Sequence, residues 1–373
     1  MKIFKILISV CLIVLLFTGC TERNDLSELS IVEGLGIDYD GEEVTITVQT
    51  LNLAKDGSGA EALSGNVTMN TNGKGSNISE AIENATEKLS KKIFFGQNRI
   101  IVFGMGMAEN YLHKNIDYLL RSSDSRSDVQ ICIAVSDAAK VMESTENDAL
   151  VPAESITSLL DIGEKSGFGA DITTNELLNL YFDKTSDIYV PVVSAEEKSV
   201  SVAGIAIYNR EKLVKVLDKD ETFGFLMLSN KMKVGFLNIR SDDLGEIGVD
   251  IIRSRTKTYA SAENGKVVLH AKIKADLMLD AVEHGYINTI TAEHLEGIEQ
   301  LVEEKIKEYC ISAFDECIKG QSDCLRIGEN LAMRHPKDYD KLSDDWKSSL
   351  SDAELDLDIK CKFKKINENS KGD

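Results

Sequence analysis

The chain has 373 residues, of which 43% are hydrophobic and 28% charged, enough apolar content for globular folding but more length than one core comfortably fills. Its 62 acidic and 42 basic residues give a formal net charge of −20, so its average surface repels nucleic acid and anionic lipid headgroups. With three prolines and no low-complexity tract, it is not a disordered stalk. We expect two or three folded domains and no nucleic-acid partner.

The first segment, MKIFKILISVCLIVLLFTGC, is typical of an export signal. Two lysines precede an apolar run over residues 6–17, which is shorter than the roughly 20 residues that span a bilayer as a helix. Residues 16–20, LFTGC, resemble a bacterial lipobox, although Phe17 stands where Leu is usual. In such signals the Cys thiol is linked to diacylglycerol. We therefore expect residues 1–19 to be a removed signal peptide and Cys20 to be a lipidation site.

Two alternatives to the lipobox interpretation stay open, a plain secretory signal with an incidental cysteine and an uncleaved anchor. Cleavage after residue 19 would remove two lysines and leave a net charge of about −22. That charge predicts membrane attachment through the two acyl chains on Cys20, which suffice for stable anchoring, and not through a basic patch.

The N-terminal region, residues 20–197, alternates strand and helix patterns. IVEGLGIDYD and VTITVQT predict a hairpin with its turn at Asp40-Gly41, and the Gly/Ser-rich residues 54–77 predict a loop with room for one short strand. Asn77 with Glu80 predicts a helix cap. The order ββαβαβα predicts an α/β region with room for two subdomains and a boundary near residue 197.

The C-terminal region, residues 198–373, predicts an antiparallel sheet with helices on one face. A long hairpin turns at 263–265, and every other residue of its second arm, from Val267 to Leu279, is apolar. The apolar stripe over 291–319 predicts a helix of roughly 43 Å. The final strand pattern, AELDLDIKCKF, also alternates. The fold class expected for the whole chain is α+β, multi-domain, with mixed or antiparallel sheets each packed by helices.

Two motifs resemble ligand sites but lack a required residue. FGMGMAEN at 103–110 has the Gly-x-Gly of a dinucleotide loop, yet Glu109 occupies the third glycine position and would repel a pyrophosphate. Asp38 and Asp40 resemble the start of a calcium loop, but its twelfth position is Gln49. A tight turn and a hairpin explain the same residues.

Histidines and cysteines do not form a recognisable site either. Glu283-His284 and Glu293-His294 lack the spacing of a zinc-binding helix, and no Gly-x-Ser-x-Gly stretch is present. Besides Cys11 and Cys20 the chain has five cysteines, without close pairs, in apolar patterns typical of small core residues: Cys132, Cys310, Cys317, Cys324 and Cys361. The sequence therefore marks no catalytic residue, and we expect no cofactor and no metal.

Several stretches in order resemble the Ger(x)C family, the lipoprotein C subunits of nutrient germinant receptors in endospore-forming bacteria. After the lipobox come IVEGLGIDYD, KKIFFGQNRIIVFGMGMAE and IDYLLRSSDSRSDVQICIAVSDA. In the second half, VAGIAIYNREKLVKVLDKDETFGFLML and SDCLRIGENLAMRHPKDYDKLSDDWKSSL resemble the family's C-terminal GerAC-type domain. Each motif is weak by itself, and the set covers nearly all of the chain that follows Cys20.

The resemblance implies a non-enzymatic α+β lipoprotein on the outer face of the spore inner membrane, anchored through diacylglyceryl-Cys20. Its partners would be membrane-embedded germinant receptor subunits, and it would support receptor assembly and germination signalling. A solute-binding lipoprotein of a transporter is the alternative, although it would need two similar lobes with parallel sheets. An exported hydrolase is a third hypothesis, which the missing nucleophile and zinc motifs disfavour.

Overall fold

The computed structural model describes residues 28–51, 68–110, 112–121, 126–144, 151–196, 199–263, 265–284 and 290–364. These residues form a nine-stranded sheet, a four-stranded sheet and the helices that pack on them. The predicted α+β class with mixed sheets is confirmed. None of the helices in these ranges is both long and apolar enough to cross a bilayer.

The first sheet has the strand order β3-β2-β1-β5-β6-β7-β8-β9, with β4 paired to β1. Its strands are β1 Leu29–Tyr39, β2 Val44–Leu51, β3 Thr68–Gly75, β4 Lys92–Phe94, β5 Ile100–Gly104, β6 Gln130–Ala134, β7 Tyr189–Ala195, β8 Val200–Asn209 and β9 Lys212–Leu217. The inner strands β1, β5, β6 and β7 run parallel, and antiparallel hairpins extend both sides. Their apolar side chains are buried, as expected of parallel strands covered on both faces.

The first hairpin forms as predicted. Asp40 Oδ1 accepts hydrogen bonds from the amides of Glu42 and Glu43 at 3.0 and 2.9 Å and so fixes the turn. At the other side of the sheet, β7 and β8 pair with each other across the expected boundary near residue 197. The two strands on either side of residue 197 thus belong to one hydrogen-bonded sheet. The division of the chain into two domains near residue 197 stays a prediction.

Six helices pack on the first sheet: α1 Ile78–Thr86, α2 Met105–Asn110, α3 Leu112–Arg121, α4 Ala138–Glu143, α5 Pro152–Ser166 and α6 Thr174–Phe182. Asn77 caps α1 by accepting from the amide of Glu80 at 3.0 Å. The Glu80 carboxylate accepts from the amide of Ser76 instead of Asn77, so the predicted capping box is half formed.

The second sheet has the order β10-β11-β12-β13, with strands β10 Gly235–Ser241, β11 Gly245–Glu263, β12 Lys266–Val282 and β13 Glu354–Phe363. The long β11–β12 hairpin confirms the predicted alternation, with the apolar side chains of β12 buried on one face. The expectation of a wholly antiparallel sheet is wrong at one pair, because β13 runs parallel to β12. The intervening helices carry the chain back to the starting end of β12, which is what a parallel pair requires.

Five helices complete the C-terminal part: α7 Lys219–Leu228, α8 Ala292–Lys319, α9 Ile327–Arg334, α10 Pro336–Leu342 and α11 Trp346–Ser351. Helix α8 begins after Thr291, whose hydroxyl accepts from the amide of His294, and its predicted apolar stripe is buried. It crosses α7 closely, because a Cβ on Gly224 would lie 2.0 Å from the carbonyl oxygen of Tyr309. One continuous apolar core runs from β1 to β13, so the two sheets share their interior.

Candidate functional site

The predicted lipidation site, Cys20, lies outside the described residues. The described chain enters the first sheet at the amino end of β1, where Leu29 pairs with Lys92 of β4. In the same part of the sheet, Arg99 Nε lies 2.7 Å from the buried carboxylate of Glu33 in β1. Arg99 directly precedes Ile100, the first residue of β5, which pairs with β1. The amino ends of β1, β4 and β5 therefore lie at the same end of the sheet. This is the end at which the chain that follows Cys20 enters it.

Two buried carboxylates join the first sheet to the C-terminal helices. Asp187, just before β7, is 2% exposed, and Asp323, just before α9, is 1% exposed. Asp323 accepts from the amides of Ile327 and Gly328 at 2.6 and 2.7 Å and from the Trp346 indole at 3.0 Å. It thereby holds α9 and α11 to the loop after α8.

Asp187 completes the junction from the sheet side. Its carboxylate accepts from the amide of Asp323 at 2.7 Å and from the amide of Arg210 at 2.9 Å, and it pairs with the Lys347 ammonium. Burial raises the pKa of Asp323 to about 7 against the opposing effect of its N–H donors, and the neighbouring Asp187 charge adds to the rise. Both oxygens of each carboxylate are used, so the pair is a structural joint.

Two surface cavities flank this joint. One, of about 500 Å³, is lined by Tyr181, Lys184, Asp187 and Arg210 among others. The other, of about 410 Å³, lies on the side of α9 and contains Lys231, which pairs with Glu164 at 2.7 Å. Asp187 and Arg210 in the first cavity and Lys231 in the second have partners within the protein, so these charged side chains serve the structure.

The residues that resembled ligand sites have structural roles. A Cβ on Gly104 would lie 2.0 Å from the Asp38 carboxylate, so this glycine permits close packing of the strand end. Asp38 accepts from the amides of Ala138 and Ala139 at 2.7 and 3.0 Å and anchors α4. Gln49 is buried and accepts from the amide of Ala153 at 3.1 Å. A tight turn and a hairpin, as predicted, account for these positions.

Residues of the two Glu-His pairs also have local structural roles. Glu283 accepts from the amide of Glu246 at 2.9 Å, and His294 takes part in the cap of α8 with Thr291. No group of three or more His, Cys, Asp or Glu side chains that could hold a metal ion occurs in the part of the chain that the structure describes.

Five described cysteines are buried and unbridged: Cys132, Cys310, Cys317, Cys324 and Cys361. Burial raises the pKa of the Cys132 and Cys310 thiols far above the ordinary value and that of Cys361 to about 12. Cys317 and Cys324 lie 3.3 Å apart, and the hydrogen bond between them is the largest cause of the raised pKa of Cys317. The predicted role of these cysteines as core residues is confirmed.

We expect the five buried cysteines to resist iodoacetamide at pH 8 in the native protein, since the thiolate is the reacting form. Peptide mass mapping before and after addition of guanidinium measures the modification of each one. Rapid native modification of Cys132 or Cys310 would contradict the buried placement.

The joint itself was missed by sequence reasoning. Its signal was present in SDCLRIGEN, because an aspartate shortly before a helix is a normal N-terminal capping residue. What the sequence did not show is that Asp187, 136 residues earlier, meets this aspartate in the interior.

Two family models match the chain, one after the other. The model described as spore germination protein N-terminal domain matches residues 22–195, and the model described as spore germination B3/GerAC like, C-terminal, matches residues 203–367. The chain also resembles the crystal structure of the GerBC protein, with a TM-score of 0.60 at 19% identity, covering 91% of this chain and 99% of that one. At that identity the likeness shows the fold.

Curated relatives match over nearly their whole length. Spore germination protein KC of Bacillus subtilis (strain 168) is 22% identical over 93% of this chain and 91% of the relative. Spore germination protein B3 of the same organism is 23% identical over 92% and 93%, and spore germination protein GerQC of Bacillus cereus is 21% identical over 89% and 90%. Since the two models together match most of its length, the chain belongs to the Ger(x)C family of spore germination proteins.

Proposed function

We propose that the chain is a lipid-anchored, non-enzymatic subunit of a spore nutrient germinant receptor that acts at the outer face of the spore inner membrane. The observation that carries this proposal is the match to both family models in one chain. The relatives are named as spore germination proteins, which supports a role in germination. Its partners would be the membrane-embedded subunits of the receptor.

The position of the chain entry is compatible with an anchor at Cys20. Leu29, the first residue of β1, is the ninth residue after Cys20, and nine residues span at most about 30 Å. The amino edge of the first sheet would therefore stay within about 30 Å of the bilayer surface. The two acyl chains of a diacylglyceryl-cysteine would hold the protein there stably.

The solute-binding alternative is not favoured. It would need two similar lobes with parallel sheets, whereas β10, β11 and β12 are antiparallel and only β13 is added in parallel. The relatives are named for germination and not for transport.

Replacement of Cys20 by Ala should abolish acylation, release the protein from the membrane fraction and weaken the germination response to nutrients. Incorporation of an alkyne-labelled palmitate, fractionation of spore membranes and the fall in optical density of germinating spores measure the three effects.

Cys11→Ala is the matched control, because it removes a cysteine from the predicted signal peptide and leaves Cys20 in place. It should retain the label, the membrane location and germination. Full membrane retention of Cys20→Ala together with normal germination would refute the lipid-anchor proposal.

A further inference from the structure

The middle of the outward face of the second sheet concentrates positive charge in a chain whose net charge is −20. Opposite positions on β11, β12 and β13 form three adjacent rows across the sheet: Arg253–Asp276–Lys362, Arg255–Lys274–Lys360 and Lys257–Lys272–Asp358. We call these nine residues the basic face; seven are cationic and two are acidic. The average charge of the chain therefore conceals a local surface of the opposite sign.

Three of the seven cations have carboxylate partners: Arg253 with Asp276 at 3.8 Å, Lys272 with Asp358 at 2.5 Å, and Lys362 with Glu299 of α8 at 2.5 Å. The other four, Arg255, Lys257, Lys274 and Lys360, are exposed and have no carboxylate within 4.0 Å among the residues that the structure describes. Four positive charges on this surface are thus left for an external anion.

The middle row carries the strongest argument. Arg255 lies directly opposite Lys274, which in turn lies directly opposite Lys360. Like charges at directly opposed positions of a sheet repel each other and destabilise the pairing. A chain with 62 acidic residues has placed none in this row. The field of these lysines reaches Asp358, whose pKa is lowered first by its hydrogen bond with Lys272 and further by Lys360 and Lys274.

Exposed apolar side chains adjoin the cations. Phe236 of β10 is 54% exposed and sits opposite Asp250, beside the row of Arg253. Val234 and Ile252, at the same end of the sheet, are 41% and 42% exposed. Cations next to exposed apolar side chains are the composition of protein surfaces that lie on bilayers, where apolar groups enter the boundary of headgroups and acyl chains.

We propose that the basic face docks on the surface of a bilayer rich in anionic phospholipid. Arg255, Lys257, Lys274 and Lys360 would contact lipid phosphates, and Phe236 would enter the headgroup boundary. Exposed apolar side chains beside the cations favour a lipid surface over an acidic protein segment, which a groove would hold better. The inference rests on the proposed function in that the anchor brings a bilayer within reach. It replaces the expectation that attachment uses no basic patch.

The test uses the full chain purified from its membrane and reconstituted in vesicles of phosphatidylcholine, with or without an equal part of phosphatidylglycerol. Lysines are acetylated briefly, and mass spectrometry measures the rate at each one. We expect acetylation of Lys257, Lys274 and Lys360 on anionic vesicles to run at about one fifth of the rate on neutral vesicles, or more slowly still. This protection should vanish in 1 M salt. The exposed Lys212, Lys307 and Lys337, on other surfaces, should react equally on both vesicles.

A triple variant, Arg255→Gln with Lys274→Gln and Lys360→Gln, should remove the protection of Lys257. The matched triple of Lys212→Gln, Lys307→Gln and Lys337→Gln should keep it, although it changes the net charge by the same amount. Equal rates for the basic face on both vesicles would overturn the proposal and leave this surface to an acidic protein partner.

Flotation separates this inference from the proposed anchor. A chain that floats with neutral vesicles has its anchor. A chain that floats only with anionic vesicles would refute the anchor and still support the basic face. A chain that floats with neither composition would overturn both.

Discussion

Gly224→Ala should destabilise the protein by about 3 kcal/mol, because the added methyl group has no room. Its Cβ would lie 2.0 Å from the carbonyl oxygen of Tyr309 and 2.8 Å from the amide nitrogen of Cys310, both backbone atoms of α8. Backbone in the middle of a 28-residue helix cannot move aside locally, so α7 and α8 must separate. Urea unfolding followed by far-UV circular dichroism measures the loss.

Gly297→Ala is the matched control within the same pair of helices. Gly297 is exposed on α8, and a Cβ there would meet no described atom within 4 Å. Alanine is the better helix former by roughly 1 kcal/mol, so this variant should be more stable than the wild type. If both variants lost stability to the same extent, the close crossing of α7 and α8 would be refuted.

Asp323→Ala should cost about 4 kcal/mol of unfolding free energy, since it leaves three buried N–H donors without an acceptor. The three donors are the amides of Ile327 and Gly328 and the indole of Trp346. Trp346 is the single tryptophan of the chain, so its fluorescence reports on this joint directly. The exposed Asp344→Ala provides the control and should leave both stability and emission nearly unchanged.

The joint should also make stability depend on pH in a defined direction. The folded-state pKa of Asp323, about 7, is above its ordinary value of 3.8, so the folded protein binds the proton more tightly than the unfolded chain. The stabilisation of the folded state that this proton contributes is present at low pH. It is lost as the pH rises through about 7.

Compared with Asp323→Asn, which cannot titrate, the wild type should therefore lose about 2 kcal/mol of stability between pH 5 and pH 8. The difference between the two unfolding free energies at each pH isolates this group from the other carboxylates. A difference that stays constant over this range would show that Asp323 is ionised throughout.

Local patterns predicted the elements well. The alternation of Val267, Leu269, Ala271 and Ile273 gave the second arm of the long hairpin, and the stripe after Thr291 gave α8, because both periodicities are fixed by backbone geometry. The direction of β13 could not be read in the same way. Its own alternation is the same for a parallel and an antiparallel neighbour, and the choice depends on packing of the helices that precede it.

The candidate sites also differ in whether they depend on continuous sequence or on contacts between distant residues. Cys20 could be proposed as a lipidation site from the sequence, because the segment that resembles a lipobox is continuous in sequence. The Asp187–Asp323 joint depends on a contact between residues 136 positions apart. The basic face depends on the register of three strands, since Arg255, Lys274 and Lys360 come from segments that each alternate charged residues with apolar or small polar ones, as ordinary strands do.

The parallel pairing of β12 and β13 has a consequence for the order of folding. Partners on these strands, such as His270 and Asp356, are 86 residues apart, and the whole of α8 to α11 lies between them. Loop closure over such a length is slow, and β13 is synthesised after all the other strands that the structure describes. Until then the amides and carbonyls along one side of β12 lack their neighbour and can recruit a strand from another molecule. Newly made chains should thus be most prone to aggregation just before β13 is added.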